Sequence, residues 1–281
     1  MTKQHRIEVL ATGYGLIEGP RVDSGDNLFF SDVVGGGVYR RAPDGDITII
    51  IPKRRGVGGI ALHADGGVIV SGRNICHVKD GNTRVVFDLE DAPGFNDLFT
   101  NESGHVLVGS MRSNPFEPSG PRKTGELYLI MAEGKATRLY EDVGLSNGIG
   151  LSPDQRTLYH SDSSRNHVIV HDLDEAGRPV NRRALTDTPE FFPDGLAVDE
   201  AGCIWVADYG AGCVRRFRPN GDPDMHIDVP AKQVTSLCFG GSDSRDLYVV
   251  TADNTDDPKL AGSIFRTRVD TPGLAAPLAT I

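Results

Sequence analysis

The sequence predicts an all-β fold, a six-bladed β-propeller, on three observations. A motif of about 40–50 residues recurs six times, strand-type patterning runs through the whole chain, and a spare strand near the N-terminus can close the ring. The motif is clearest at Asp194-Gly195-Leu196-Ala197-Val198-Asp199, where a polar residue and a glycine lead into a short apolar strand. Then come Ala201-Gly202, the strand Ile204–Asp208, a Gly-rich turn, Val214–Phe217 and the turn Pro219-Asn220-Gly221-Asp222. Glu18–Asp23, Leu28–Asp32 and Val38–Arg41 repeat this order, as do Asn147–Ser152, Leu158–Asp162 and Val168–Asp172. Weaker copies start at Gly58, Asn96 and Ser236.

The equivalent positions are therefore 18, 58, 96, 147, 194 and 236, spaced by 40, 38, 51, 47 and 42 residues. Runs of Val, Ile, Leu, Phe and Tyr bounded by Gly, Asp, Asn and Pro read as short strands. No segment sustains a 3.6-residue apolar period, so long helices are not expected. The 34 glycines and 17 prolines suit many tight turns. The first copy starts too late to hold the outermost strand of the last blade, and Arg6–Leu10 can supply it. Pairing the two ends of the ring removes exposed sheet edges. One domain over residues 1–281 is the expected organisation.

A formal net charge of −10 argues against non-specific nucleic-acid binding, which needs a basic face. No run of about eighteen apolar residues exists, so no membrane span is expected. The opening residues lack an apolar signal core, which makes the cytoplasm the default location. Cys76, Cys203, Cys213 and Cys238 form no C-x-x-C pair and read as reduced thiols.

In a propeller the first strand of each blade lines the central channel, so the six equivalent positions should ring the axis at one mouth. They read Glu18, Gly58, Asn96, Asn147, Asp194 and Ser236. Two carboxylates and two amides converging there make an oxygen-only site for a hard divalent cation. Burying Glu18 beside Asp194 without one costs several kcal/mol. Turn chemistry is the competing reading, since Asn and Asp before Gly are common turn formers. The second strands return to the same mouth and end at Asp32, Gly72, Ser110, Asp162, Asp208 and Ala252. The three aspartates there either orient ligands and touch substrate or cap their turns. Met111–Thr124 is the longest excursion at this mouth and a lid candidate, with Arg112, Phe116 and Arg122 as its contact residues.

Three patterns mimic other sites. Gly144-Leu145-Ser146-Asn147-Gly148 fits G-x-S-x-G, yet a strand rather than a helix should follow it. Gly56–Ala61 fits G-x-G-x-x-A but also leads into a strand, which argues against a dinucleotide site. His160, His167 and His171 read as ordinary surface or half-buried strand residues, away from the axis. Asp253–Asp257 reads as a solvated acidic loop.

Ile17-Glu18-Gly19-Pro20, Phe95-Asn96-Asp97, Ser146-Asn147-Gly148 with Leu151-Ser152-Pro153-Asp154, Pro193-Asp194-Gly195 and Thr235–Gly241 followed by Leu247-Tyr248-Val249 occur in that order. Together they resemble the gluconolactonase and regucalcin (senescence marker protein) family over nearly the whole chain. The resemblance implies a six-bladed propeller with one catalytic divalent cation. It puts metal binding on Glu18, Asn147 and Asp194, and substrate or metal binding on Asn96. Gly94 stands where members acting on sugar lactones often carry Arg, and Arg21-Val22 replace the Trp that follows Glu-Gly-Pro. Both changes spare the cation site and count against a sugar-acid lactone. The expected activity is metal-assisted opening of a small-molecule lactone, with Asp194 as general base. Asn96, Arg112, Phe116 and Asp208 are the expected substrate contacts. Ca²⁺ is the leading cation, with Mg²⁺, Mn²⁺ or Zn²⁺ as alternatives. Phosphotriester hydrolysis, a non-hydrolytic addition or elimination on the same cation, and a non-catalytic calcium-binding propeller are the competing functions.

Overall fold

In the computed structural model, which describes residues 5–114, 117, 123–186, 191–253 and 257–281, six four-stranded antiparallel sheets form a six-bladed β-propeller. Blade 1 holds Ile17–Val22, Leu28–Asp32, Val38–Arg41 and Ile47–Ile51. Blade 2 holds Ile60–Leu62, Val68–Val70, Ile75–Lys79 and Asn82–Phe87. Blade 3 holds Gly94–Thr100, Val106–Met111, Gly125–Ile130 and Ala136–Val143. Blade 4 holds Ser146–Leu151, Thr157–Asp162, His167–Leu173 and Pro179–Ala184. Blade 5 holds Pro193–Val198, Ile204–Asp208, Cys213–Phe217 and Pro223–Asp228. Blade 6 holds Val234–Gly240, Asp246–Thr251 and Ile264–Arg268, and its fourth strand is Glu8–Ala11.

The closing strand therefore begins two residues later than Arg6–Leu10. Glu8 lies opposite Arg266 and Val9 opposite Phe265, and a bulge then sets Ala11 against Ile264. Local alternation marks a strand here, but its ends are set by the partner across the ring.

Burial falls from the axis outward. Every residue of Ser146–Leu151 is buried, whereas the outermost strand of the same blade, Pro179–Ala184, is largely exposed. Between blades lie apolar clusters such as Trp205, Val214, Val234, Leu237 and Phe265, or Ile69, Phe95, Leu98 and Val106. Each such side chain contributes roughly 1.5–3 kcal/mol of hydrophobic stabilisation. The inner strands crowd so closely that the residue after the axial position is often glycine. A Cβ at Gly148 would overlap the Leu196 amide nitrogen and sit 2.7 Å from the Asp194 carbonyl oxygen. Both are backbone atoms, so neither can give way. Gly148→Ala should therefore destabilise the protein by about 1–3 kcal/mol or more, read as a lowered urea midpoint.

The two mouths of the channel differ. The ends of the inner strands surround a cavity of about 490 Å³ at the far mouth, lined by Leu62, Phe99, Leu151, Leu196 and Leu237. The final segment crosses it, with Leu274 N donating to Val198 O and Ala279 N to Leu62 O. The opposite mouth carries the polar ring. Among the described residues no helix is long and apolar enough to cross a membrane.

Candidate functional site

Glu18, Asn147 and Asp194 are buried and Asn96 is half-buried, each at the start of an inner strand of a different blade. The register slips next to each of them. Bulges separate Glu18 from Arg21, Phe95 from Leu98, Ser146 from Ile149 and Pro193 from Leu196. A bulge adds twist and re-aims a side chain, so in blades 3, 4 and 5 Asn96, Asn147 and Asp194 leave the sheet ladder, whereas Glu18 stays paired with Ser31 at the edge of its bulge. At the equivalent Gly58 there is no side chain, and a Cβ would overlap Asn96 Oδ1. The Asn96 oxygen thus occupies the space that blade 2 leaves open.

Two of the four residues are bonded directly. Asn96 Nδ2 donates to Asn147 Oδ1 at 2.5 Å and to the Ser146 carbonyl at 2.8 Å. Asn147 Nδ2 donates to Ser163 Oγ at 2.7 Å. The carboxylates are held less comfortably. Burial pushes Glu18 well above the ordinary carboxylate range, and the charges of Asp194 and Asp97 push it further. Burial and Asp97 do the same to Asp194. Asp194 Oδ1 is buried with no hydrogen-bond partner.

Asp97 was not assigned a role from sequence. It stands where blades 1, 2, 4 and 5 have Gly19, Gly59, Gly148 and Gly195, and beyond its place in the Phe95-Asn96-Asp97 motif this break in the repeat was its visible signal. Burial raises its pKa to about 6, opposed by Arg21, whose guanidinium lies 3.7 Å away. Arg21 reaches across the channel from blade 1 to donate to the Leu98 carbonyl of blade 3. Three buried carboxylates (Glu18, Asp97, Asp194) thus face one buried arginine, a formal charge of −2 when all are ionised. A divalent cation at the axis would cancel it. The residues present fit such an ion: two amide oxygens and two carboxylates, one of them with an orphaned oxygen. Among the described residues no three His, Cys, Asp or Glu side chains cluster to hold a metal, so the amide oxygens would have to complete the set.

The second strand ends turn out to fasten the blades. Asp32 accepts from Gly15 N at 3.0 Å and Leu16 N at 3.3 Å, and Asp162 from Gly144 N at 2.7 Å and Leu145 N at 3.0 Å. Asp208 accepts from Phe192 N at 3.1 Å and from Arg215 Nε at 2.5 Å, which engages both its oxygens within blade 5. Each aspartate pins the segment entering its own blade. Arg112 is likewise engaged: Glu126 takes its guanidinium at 2.9 Å and Asp91 at 2.6 Å. Phe116 and Arg122, with much of Met111–Thr124, lie outside the described residues, as does the centre of the acidic loop Asp253–Asp257.

Tyr209 was missed. Its hydroxyl is raised in pKa by burial and then by the charges of Asp194 and Glu18, which puts it within electrostatic reach of the axis. Its ring lies 5.7 Å from that of Phe192, an aromatic edge to the mouth. Sequence could have offered only its place just after the strand ending in Asp208.

The mimics resolve differently from expectation in one respect. His160 and His171, expected at the surface or half-buried, are buried, at 0% and 4% exposure, whereas His167 is half-buried. His160 Nε2 meets Ser146 Oγ at 2.7 Å and its Nδ1 meets the Tyr140 hydroxyl at 2.7 Å. Burial drives His160 down to about 3 and His171 to about 4, so both are neutral at pH 7. Ser146 opens a strand, and its hydroxyl fills the space opposite Gly109 between blades. All four cysteines are free and buried.

Residues 16–253 match the family model described as the SMP-30/Gluconolactonase/LRE-like region. The chain is 34% identical over 269 residues to a 6-deoxy-6-sulfogluconolactonase of Pseudomonas putida, covering 89% of this chain and 90% of the relative. It is 30% identical over 283 residues to the pentonolactonase XacC of Haloferax volcanii, covering 94% of each. Among solved structures it resembles a luciferin-regenerating enzyme at 25% identity and a TM-score of 0.87, over 99% of this chain and 100% of that one. It also resembles a calcium-binding regucalcin of Agrobacterium tumefaciens at 25% identity and a TM-score of 0.86, over 99% of this chain and 98% of that one.

Proposed function

The chain belongs to the SMP-30/gluconolactonase/LRE-like family, and from that premise we propose that it opens lactones hydrolytically at a divalent cation held on the propeller axis. One observation carries the reading: three buried carboxylates, one of them with an orphaned oxygen, opposed by a single arginine. Glu18, Asn147 and Asp194 would hold the ion, with Asn96 Oδ1 beside it. When bound, the cation supplies Lewis-acid polarisation of the lactone carbonyl and charge compensation for the developing oxyanion.

Asp194 is also the general base. Its ring of acidic neighbours keeps its proton affinity up against the pull of the ion, which suits a carboxylate that must accept a proton from attacking water. Attack on the carbonyl carbon and collapse of the tetrahedral adduct then break the ring C–O bond, and the proton taken up by Asp194 passes to the leaving ring oxygen to give the hydroxy acid. Asn96 would orient the substrate, and Tyr209 with Phe192 would pack on its ring. The relatives named for sulfogluconolactone and pentonolactone support a sugar lactone, although Gly94 offers no arginine to such a substrate. Ca²⁺ is the cation we favour, in line with the calcium-binding regucalcin structure.

The deciding experiment is ring-opening rates on a panel of γ- and δ-sugar lactones before chelation, after EDTA, and after adding back Ca²⁺, Mg²⁺, Mn²⁺ or Zn²⁺. Activity should vanish on chelation and return with one or more cations. Cation binding with no lactone turnover would favour the non-catalytic calcium-binding propeller, and turnover confined to a phosphotriester would move the chemistry elsewhere on the same site.

A further inference from the structure

Asn147 and Asn96 can serve a cation only if their oxygens, and not their NH₂ groups, face the axis. We propose that Ser163 is the positioning residue that enforces this orientation. Its consequence for metal affinity rests on the cation reading above, whereas the orientation itself follows from donors and acceptors alone.

Ser163 follows the second strand of blade 4 and is fully buried. Its Oγ lies 2.7 Å from the Pro193 carbonyl of blade 5 and 2.7 Å from Asn147 Nδ2. A hydroxyl has one proton to donate, and a carbonyl can only accept. The proton therefore goes to Pro193. What remains on Oγ is a lone pair, which must be met by an N–H. This fixes the nitrogen of Asn147 on the Ser163 side and turns its Oδ1 the other way. There Asn96 Nδ2 donates to it at 2.5 Å, while the second Asn96 N–H goes to the Ser146 carbonyl at 2.8 Å. With both its protons committed, Asn96 has only Oδ1 left to present, and that atom lies over Gly58.

One hydroxyl thus sets the sense of a whole chain. Flipping Asn147 would leave the Pro193 carbonyl without its donor and set two NH₂ groups against each other. Each buried group left unpaired costs about 1–3 kcal/mol. Ser163 also ties the Asn147 amide to the residue preceding Asp194, so two of the proposed ligands from neighbouring blades are braced through it.

The test uses the full chain and has a readout that needs no metal. In the metal-free protein labelled with ¹⁵N-asparagine, the Asn147 NH₂ signals, assigned from their loss in Asn147→Asp, should show slow proton exchange. Ser163→Ala should release them to the exchange of an unbonded amide, and Ser163→Thr, which keeps the hydroxyl, should restore the slow exchange. In calorimetric titration Ser163→Ala should weaken Ca²⁺ binding about 10–100-fold and Ser163→Thr only a few-fold. Should the alanine variant not fold, Ser163→Cys serves in its place, with a weak hydrogen-bonding thiol of similar volume. Unchanged Asn147 exchange, or unchanged Ca²⁺ affinity in a folded variant, would overturn the inference. A parent protein that bound neither Ca²⁺ nor Mn²⁺ would sink the cation reading instead, and the NMR arm would still decide the orientation.

Discussion

Asp194→Asn should lower kcat for lactone opening by about 10²–10⁴-fold and leave the propeller folded. The substitution is nearly isosteric at a position 6% exposed, so packing is preserved. It removes the proposed base and one formal charge from the cation's surroundings. It also relieves a strain, because Asp194 shares its burial with Glu18 and Asp97. Without a cation, the variant should therefore unfold at a higher temperature than the parent, while the parent gains more from added Ca²⁺. That pairing separates a functional carboxylate from a structural one. Asp208→Asn is the contrast: it weakens the bonds to Phe192 N and Arg215, so stability should fall while kcat in the folded variant stays near the parent's. Parent-level kcat in Asp194→Asn, measured by pH-stat, would refute its role as base.

The axial positions were legible because a repeat is a local property. Six copies of one pattern put six residues at one level, and the bulges beside four of them could be expected wherever a polar residue interrupts an inner strand. What escaped was set by contacts between blades. Arg21 and Asp97 meet across the channel from blades 1 and 3, and nothing local to either predicts the pairing, although Asp97 stands where most blades have glycine. Arg21 figured only as a departure from a family pattern. His160 read as a surface or half-buried strand residue because its cover, Tyr140, comes from the outermost strand of the preceding blade. Asp208 and its counterparts stayed ambiguous for a different reason. An aspartate at a strand end can cap a turn or face a substrate, and only the count of donors around each oxygen separates the two. The closing strand was placed correctly in the ring but off by two residues, since Phe265 and Arg266 on the partner strand fix its register.

The stabilisation that Ca²⁺ confers should grow as pH rises from about 5 to 8, because protons and the cation compete for the same oxygens. The sign follows from the carboxylates. Glu18 and Asp194 are raised well above their ordinary values and Asp97 to about 6. Between the unfolded and folded values the native state holds more protons than the unfolded chain, so the metal-free protein loses stability as pH climbs through the folded values. For Asp97 alone the loss is on the order of 3 kcal/mol, taking 1.36 kcal/mol per pH unit. His160 and His171 work in the opposite sense. Their lowered values make the unfolded chain the better proton binder, so they add stability as pH rises toward the ordinary histidine value and little beyond it. Exposed carboxylates such as Asp243, lowered to about 2, have finished contributing below pH 5. Neither group supplies an oxygen to the proposed ion, so their direct contributions cancel when each sample is compared with itself in EDTA and in Ca²⁺. The difference in melting temperature between those conditions isolates the axial oxygens. At a free ion concentration one hundred times Kd it corresponds to about 2.7 kcal/mol where the carboxylates are ionised, and shrinks as they protonate. Glu18→Gln should flatten the pH dependence, since one competing proton is gone. A calcium increment that stayed constant or grew smaller from pH 5 to 8 would mean that the ion binds somewhere other than Glu18 and Asp194.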